Sequence, residues 1–199
     1  MSHGKQFTLY SNKTGANGWK VAFVLEELGL TYESIYLDFA RGEHKAPEYT
    51  QYNPNGRIPA LIDHRSNDFV IWESNAILLY LIKKYDKENK LGVTNEEDKY
   101  KLLQWLFFQA SGQGPYFGQA IWFMRFHPEH LPSAIERYQK ETQRVLSVLE
   151  SVLSKQEWLV GNKPTIADIS FITWHQKLVE RPAVKKLYEE QAKLLAANN

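Results

Sequence analysis

The 199-residue chain contains no cysteine. That excludes disulfide scaffolds, thiolate zinc sites, iron–sulfur clusters and any mechanism that runs through a protein thiol. Long apolar runs are also missing. The longest stretches, such as Ala76–Ile82, fall far short of the roughly 20 residues that span a bilayer. The amino-terminal MSHGKQFTLY has no apolar signal-peptide core. No polybasic run appears and the charge is balanced, with nine basic and ten acidic residues over 1–86 and fifteen and thirteen over 87–199. Neither half is basic enough to follow a phosphate backbone, so nucleic acid is not an expected partner. These absences predict a soluble chain with neither a membrane nor a nucleic acid to bind, and a cytoplasmic location. Aromatics, by contrast, are abundant: six Trp, eleven Tyr and ten Phe, 14% of the chain. That content suits a well-filled core and an apolar pocket.

Residues 6–10 alternate apolar and polar as a strand does, and a turn-rich segment, Ser11–Gly18, follows. Val21, Leu25 and Leu28 fall at i, i+4 and i+7 with Gly29 as a stop, which predicts a helix. Ile35, Leu37 and Phe39 alternate again as a second strand. Strand, helix, strand in so short a span implies a parallel pair with a helical crossover. After a polar stretch from Arg41 to Asn55, two short strands are predicted at Ala60–Asp63 and Phe69–Trp72, then a helix led by Ser74 with Leu78, Leu81, Ile82 and Tyr85 on its apolar face. Asp86–Glu97 reads as a linker. Beyond it only helical periodicity remains: Leu103, Phe107 and Ala110 on one helix, and Ile135, Tyr138, Thr142, Val145, Leu149 and Val152 on a long amphipathic one. The expectation is an α/β domain over 1–86 and an all-helical domain over 95–199.

Four constellations bear on chemistry. Pro59 in Gly56-Arg57-Ile58-Pro59-Ala60-Leu61 precedes a strand, where it marks either a plain strand start or a special turn. Were Ile58–Pro59 cis, the Ile58 backbone would turn outward to pair with an extended peptide, although only about 5–6% of X–Pro bonds are cis. Glu73 and Ser74, between a strand and a helix, offer a carboxylate for an ammonium and a hydroxyl beside a helix N-terminus for a carboxylate. The structural alternative is a simple Ser cap. The Ser11–Gly18 loop lacks dinucleotide and P-loop spacing, yet carries Asn12, Thr14 and Asn17 at the carboxyl end of the first strand. An Asn amide there can donate to a thiolate or an oxyanion. Thr165-Ile-Ala-Asp168 has capping-box spacing and is read as structural. The histidines show no metal-ligand spacing, so no metal is expected, and no nucleophile elbow is present.

In combination, these segments resemble the cytosolic glutathione transferases, which join a thioredoxin-like domain to a helical-bundle domain. The stretches Ala16-Asn17-Gly18-Trp19-Lys20, Gly42-Glu43-His44-Lys45-Ala46-Pro47-Glu48, Asn53-Pro54-Asn55-Gly56-Arg57-Ile58-Pro59 and Ile71-Trp72-Glu73-Ser74 resemble the fungal branch related to the nitrogen-regulating prion protein. So do Phe117-Gly118-Gln119-Ala120 and Ala134-Ile135-Glu136-Arg137-Tyr138 in the helical part. The resemblance implies a cis Pro59, an Ile58 backbone paired with the cysteinyl part of glutathione, Glu73 and Ser74 on the γ-glutamyl head, and His44 along the glycyl end. It leaves Asn17 nearest the sulfur. It further implies a homodimer with glutathione as co-substrate.

With no protein cysteine, the reactive sulfur has to belong to the ligand. The expected activity is thiol activation for conjugation to a small apolar electrophile, or for glutathione-dependent reduction of a peroxide or disulfide. The aromatic set Phe107, Phe108, Tyr116, Phe117, Trp122 and Phe123 is the candidate second-substrate site, with core or dimer contacts as the alternative. A non-catalytic glutathione-binding regulator or partner-binding protein on the same scaffold is the competing reading. One departure from the family pattern is expected: a segment normally present is absent at Trp174–His175.

Overall fold

In the first strand, β1 (Phe7–Ser11), Phe7, Leu9 and Ser11 alternate with Thr8 and Tyr10, and the alternation decides what covers each face of the sheet. The computed structural model describes residues 4–171, with 4–92 forming one unit and 93–171 a second. The first helix, α1 (Ala16–Glu27), buries Trp19 and Val21 through Leu25. It crosses over to β2 (Tyr32–Tyr36), which pairs parallel to β1 with Ser11 opposite Tyr36. The alternation at Ile35, Leu37 and Phe39 predicted this strand three residues late. The ladder ends with its partner: Leu37 N–H still donates to Ser11 O (2.9 Å), but beyond Ser11 the chain turns away and Phe39 is left 43% exposed.

The polar stretch after β2, predicted to hold no element, carries a short helix, α2 (Pro47–Thr50), with Pro47 in its first turn where no amide donor is needed. Its Tyr49 is buried and meets Tyr10 from the opposite face of the sheet, ring centres 5.4 Å apart. Tyr52 stacks on the same Tyr10 ring at 5.2 Å. The strands β3 (Ala60–Asp63) and β4 (Phe69–Trp72) have their predicted bounds and close a sheet of order β2-β1-β3-β4. The last helix of the unit, α3 (Ser74–Tyr85), buries Ile77, Leu78 and Leu81, and its Tyr85 packs edge-on against Phe7 at 5.4 Å. This is a thioredoxin-like mixed sheet, with β1–β2 parallel and the other two pairs antiparallel.

The second unit is helical. Asn95 caps α4 (Glu96–Phe108), its Oδ1 accepting from Glu97 and Asp98 N–H at 2.8 and 3.2 Å. The buried face of α4 is Leu102, Trp105 and Leu106, one position before the predicted Leu103–Phe107–Ala110 stripe; Phe107 is 71% exposed. A π-helical turn over Gln109–Gln113 leads into α5 (Gly114–Arg125). The long α6 (Pro132–Leu153) buries Val145 and Leu149 on the predicted face. A short α7 (Ile166–Ser170) follows, and Phe171 packs edge-on against Trp105 at 6.2 Å. Among the described residues no helix is long and apolar enough to cross a membrane. The Trp174–His175 junction lies outside the described residues.

Candidate functional site

The candidate site lies in the first unit, at the carboxyl ends of β1 and β4 and the start of β3. The Ser11–Gly18 loop is fixed by its own polar groups. Asn12 Nδ2 donates to Leu37 O (2.9 Å), while Asn12 Oδ1 accepts from Thr14 N–H and Thr14 Oγ1. Trp19 Nε1 donates to Lys13 O (3.1 Å). Two of the three candidate polar residues therefore hold the loop in shape. The third, Asn17, is in the first turn of α1, exposed, and its amide has no partner among the described residues. A Cβ at Gly18 would stand 2.9 Å from Ser11 Cβ, so only glycine lets α1 approach β1 this closely.

The Ile58–Pro59 bond is cis. The carbonyl just before it, Arg57 O, accepts from Tyr49 Oη (2.5 Å) and from Asn53 Nδ2 (2.7 Å). Asn53 is buried and its Oδ1 accepts from Asn55 N–H. Gly56 has φ +59° and faces His44 O, where a Cβ would lie 2.9 Å away. Tyr49 and Asn53, not singled out by sequence, thus set the backbone that presents Ile58. The signal for Asn53 was in the Asn53-Pro54-Asn55-Gly56 turn, whose first Asn is poised to bond its own backbone two residues on.

A groove of about 340 Å³ is lined by Asn17, Phe39, His44, Lys45, Gly56, Arg57 and Ile58. It unites three of the predicted site residues: Asn17, His44 and Ile58. The His44 ring lies against Phe39, centres 4.2 Å apart, and its buried Nδ1 has no partner among the described residues. A buried ring nitrogen left without a partner suits a site completed by a ligand or water. Lys45 Nζ donates to Asn55 O (3.1 Å), so a cation is held beside the His44 end.

Glu73 and Ser74 are not among the groove's lining residues. They follow directly from β4, where Trp72 stands opposite Ala60, so the strand register carries them alongside Pro59 and Ile58. Glu73 is exposed and adopts φ +71°, a left-handed conformation costly for a non-glycine residue and concentrated at functional positions. Ser74 is the first helical residue and is buried; it does not cap, since α3 starts without any side-chain cap bond. The simple-cap alternative is therefore corrected. The positive φ of Glu73 turns the chain so that Ser74 enters the helix already in helical geometry.

Phenolic alternatives to Asn17 are poor. Burial, with Tyr52 adding to it, pushes Tyr10 up to about 12, and burial pushes Tyr49 to about 12 as well. Ser11 is 2% exposed and faces Gly18. In the second unit, the aromatic candidates divide. Phe123 stacks on Tyr138 of α6 at 5.4 Å, Tyr116 lies under Arg144 at 5.9 Å, and Phe108 packs on Phe171. Trp122 is 48% exposed beside Phe126, and Phe117 is half-buried. Thr165 and Asp168 form the capping box that the spacing predicts.

The family model of the glutathione S-transferase N-terminal domain matches residues 5–83, and that of the C-terminal domain matches 115–197. Glutathione S-transferase 2 of Schizosaccharomyces pombe is 46% identical over 222 aligned positions, covering 94% of this chain and 96% of the relative. Since 94% of 199 residues is about 187, about 35 aligned positions of that comparison (222 less 187) have no residue here. The transcriptional regulator URE2 of Saccharomyces cerevisiae is 42% identical over 204 positions, covering 85% of this chain and 58% of its own. Among solved structures, the glutathione transferase URE2P6 from Phanerochaete chrysosporium, in complex with oxidized glutathione, has 60% identity and a TM-score of 0.94, covering 97% of this chain and 99% of the other. With both family models matched in order, this mixed-sheet unit and its helical companion belong to a glutathione transferase, in the Ure2p-like fungal branch.

Proposed function

We propose that the first unit binds glutathione in an extended form along the Ile58 edge and that Asn17 activates its thiol. The observation that carries this reading is the contrast between Asn12 and Asn17: in a loop where the other amide is tied into the fold, the Asn17 amide is exposed and unpartnered. The Ile58 backbone pairs with the cysteinyl part, His44 and Lys45 receive the glycyl end, and Glu73 and Ser74 hold the γ-glutamyl ammonium and carboxylate. The solved relative named for its complex with oxidized glutathione supports this ligand class.

A free thiol has a pKa near 8.5, leaving a few per cent as thiolate at neutral pH. An amide N–H aimed at sulfur favours the charged form, and the first turn of α1 adds the positive end of a helix dipole. Each unit of lowering is worth about 1.4 kcal/mol. The thiolate then attacks an electrophilic carbon, a carbon–sulfur bond forms and the leaving group departs with its electron pair. Reduction of a peroxide or disulfide through the same thiolate belongs to this reading. The electrophile is small and apolar, with Tyr116, Phe117, Trp122 and Phe123 as the candidate second-substrate set. The protein acts as a cytoplasmic homodimer. The exposed apolar side chains Phe107 and Ile121 support a partner surface of that kind.

The test is the ultraviolet thiolate absorbance of bound glutathione followed against pH, in the wild type and in Asn17→Ala. A thiol pKa lowered by about one unit or more in the wild type and restored in the variant establishes activation at Asn17. Tight binding with no shift would overturn activation. It would then favour the non-catalytic regulator reading, for which the 42% identity to the transcriptional regulator URE2 is the specific support. Turnover of an aromatic halide or a peroxide separates the two.

A further inference from the structure

The π-helical turn between α4 and α5 takes two glutamine side chains out of water. Gln109 and Gln113 are 5% and 6% exposed. Gly114 N–H donates to Gln109 O, five residues back, and within the turn Gln109 Nε2 donates to Gln113 Oε1 at 3.0 Å. A side-chain amide has two polar ends, and Gln113 is partnered at one. Its Nε2 is buried and has no acceptor among the described residues. An apolar side chain of the same size would fill this space without leaving a buried donor unpaired. Wide turns of this kind concentrate at functional sites.

The surroundings of this amide tie it to the reaction. Gln113 leads into α5, and Tyr116 and Phe117 follow it at i+3 and i+4, the spacing that shares one helix face. Side chains on a helix lean toward its amino end, so both rings lie over the turn. A Cβ at Gly112 would stand 3.5 Å from Phe108, which sets a third aromatic candidate against the same turn. Gly114 is exposed and a Cβ there would lie 3.9 Å from Gln109 Nε2, so no side chain covers the amide pair from that side. We propose that the Gln113 amide donates to an oxygen of the second substrate and selects apolar electrophiles whose reacting carbon is conjugated to such an oxygen. This rests on the reading that Tyr116 and Phe117 belong to the second-substrate set.

An aromatic-lined site holds such a substrate by its apolar body and leaves one polar demand to be met. When the glutathione thiolate adds to a conjugated enone, a carbon–sulfur bond forms and the displaced π pair leaves an enolate, whose oxygen carries the negative charge until its carbon takes a proton from water. An amide N–H held away from water bonds that charged oxygen more strongly than the neutral carbonyl. The donor therefore speeds the addition as well as orienting the substrate. A benzylic halide makes no such demand, because its charge departs with the halide.

The test is kinetic, on the full chain with glutathione and two aromatic electrophiles: benzylideneacetone, which carries a conjugated oxygen, and benzyl bromide, which carries none. Gln113→Met keeps the length of the side chain and removes its donor. Its kcat/KM for benzylideneacetone is expected to fall about five- to tenfold, while that for benzyl bromide stays within about twofold of the wild type. Equal losses on both electrophiles would make Gln113 a packing residue, and no loss on either would leave its amide without a role; each overturns the inference. Should the variant not fold, the wild type decides: S-p-nitrobenzylglutathione should bind about threefold or more tighter than S-p-methylbenzylglutathione, and equal affinities overturn the inference. Phe117→Ala separates this inference from the reading beneath it. If Phe117→Ala slows both electrophiles while Gln113→Met slows neither, the inference falls alone. If Phe117→Ala slows neither, the aromatic set is not the second-substrate site and the inference falls with it.

Discussion

At the start of α7, Thr165 and Asp168 commit their side-chain oxygens to their own turn. Thr165 Oγ1 accepts from Ala167 N–H, and Asp168 accepts from Thr165 N–H (2.8 Å), Thr165 Oγ1 (3.0 Å) and Leu159 N–H (2.8 Å). Both residues are fully buried. At the start of α3, Glu73 and Ser74 are residues of the same capping type, yet neither bonds the helix through its side chain, and Glu73 is held exposed at a positive φ. One helix start is closed on itself and the other is left open. A short polar residue before a helix is thus a structural device when its oxygens find backbone donors, and a candidate site when the backbone is arranged so that they do not.

The largest effect is expected where the comparison is most structural. Asp168→Ala leaves two buried N–H groups without an acceptor and should lower stability by about 3 kcal/mol or more, read from urea denaturation. The folded variant should bind glutathione with unchanged Kd. A loss below about 1 kcal/mol would break the claim that this end is purely structural.

A second, smaller effect sharpens the comparison inside the first unit, where Asp63 is the internal counterpart of Asp168. Burial pushes the Asp63 carboxyl up, but hydrogen bonds from Tyr80, Tyr85 and Ser66 together with Lys84 outweigh it and hold its pKa below the ordinary 3.8. A depressed carboxyl contributes stability that is fully present above the unfolded value and is lost as pH falls through the lower folded one. The urea midpoint should therefore drop on acidification below about pH 4, and Asp63→Asn should flatten that drop. At neutral pH the variant should cost about 1–2 kcal/mol, because the tyrosine donors keep an acceptor. An unchanged acid slope would show that Asp63 is not the group responsible.

What could be read from the sequence follows the same division. The bounds of β3 and β4, the helix behind Trp19 and the Thr165–Asp168 box were legible, because each depends on neighbours within a few residues. The end of β2 was not: alternation runs on to Phe39, and only the partner strand's length stops the ladder at Tyr36. The buried face of α4 was ambiguous, since Leu102, Trp105 and Leu106 form a stripe as regular as Leu103, Phe107 and Ala110. Within the site, residue types were legible and their availability was not. Asn12 and Asn17 look alike in sequence, and only contact with Leu37 O, 25 residues away, separates the structural amide from the open one.

The smallest effect on stability is the most informative for the comparison. Ser74→Ala removes a hydroxyl that bonds no backbone group of α3, so its cost in urea should stay within about 0.5 kcal/mol. Thr165→Ala is the matched control: it removes a buried hydroxyl with partners on both sides and should cost about 1–2 kcal/mol. If Ser74 holds the carboxylate of the γ-glutamyl head, the same Ser74→Ala change should weaken glutathione about tenfold, the value of a hydrogen bond to a charged group. If Asn17 meets the central cysteinyl sulfur, the thiol pKa of whatever glutathione still binds should not move, because the lost contact is to the γ-glutamyl head and not to the sulfur. A Ser74 variant that loses stability like its Thr165 control while keeping its affinity would make both helix starts structural, and the head-group site would have to be sought elsewhere along the Ile58 edge.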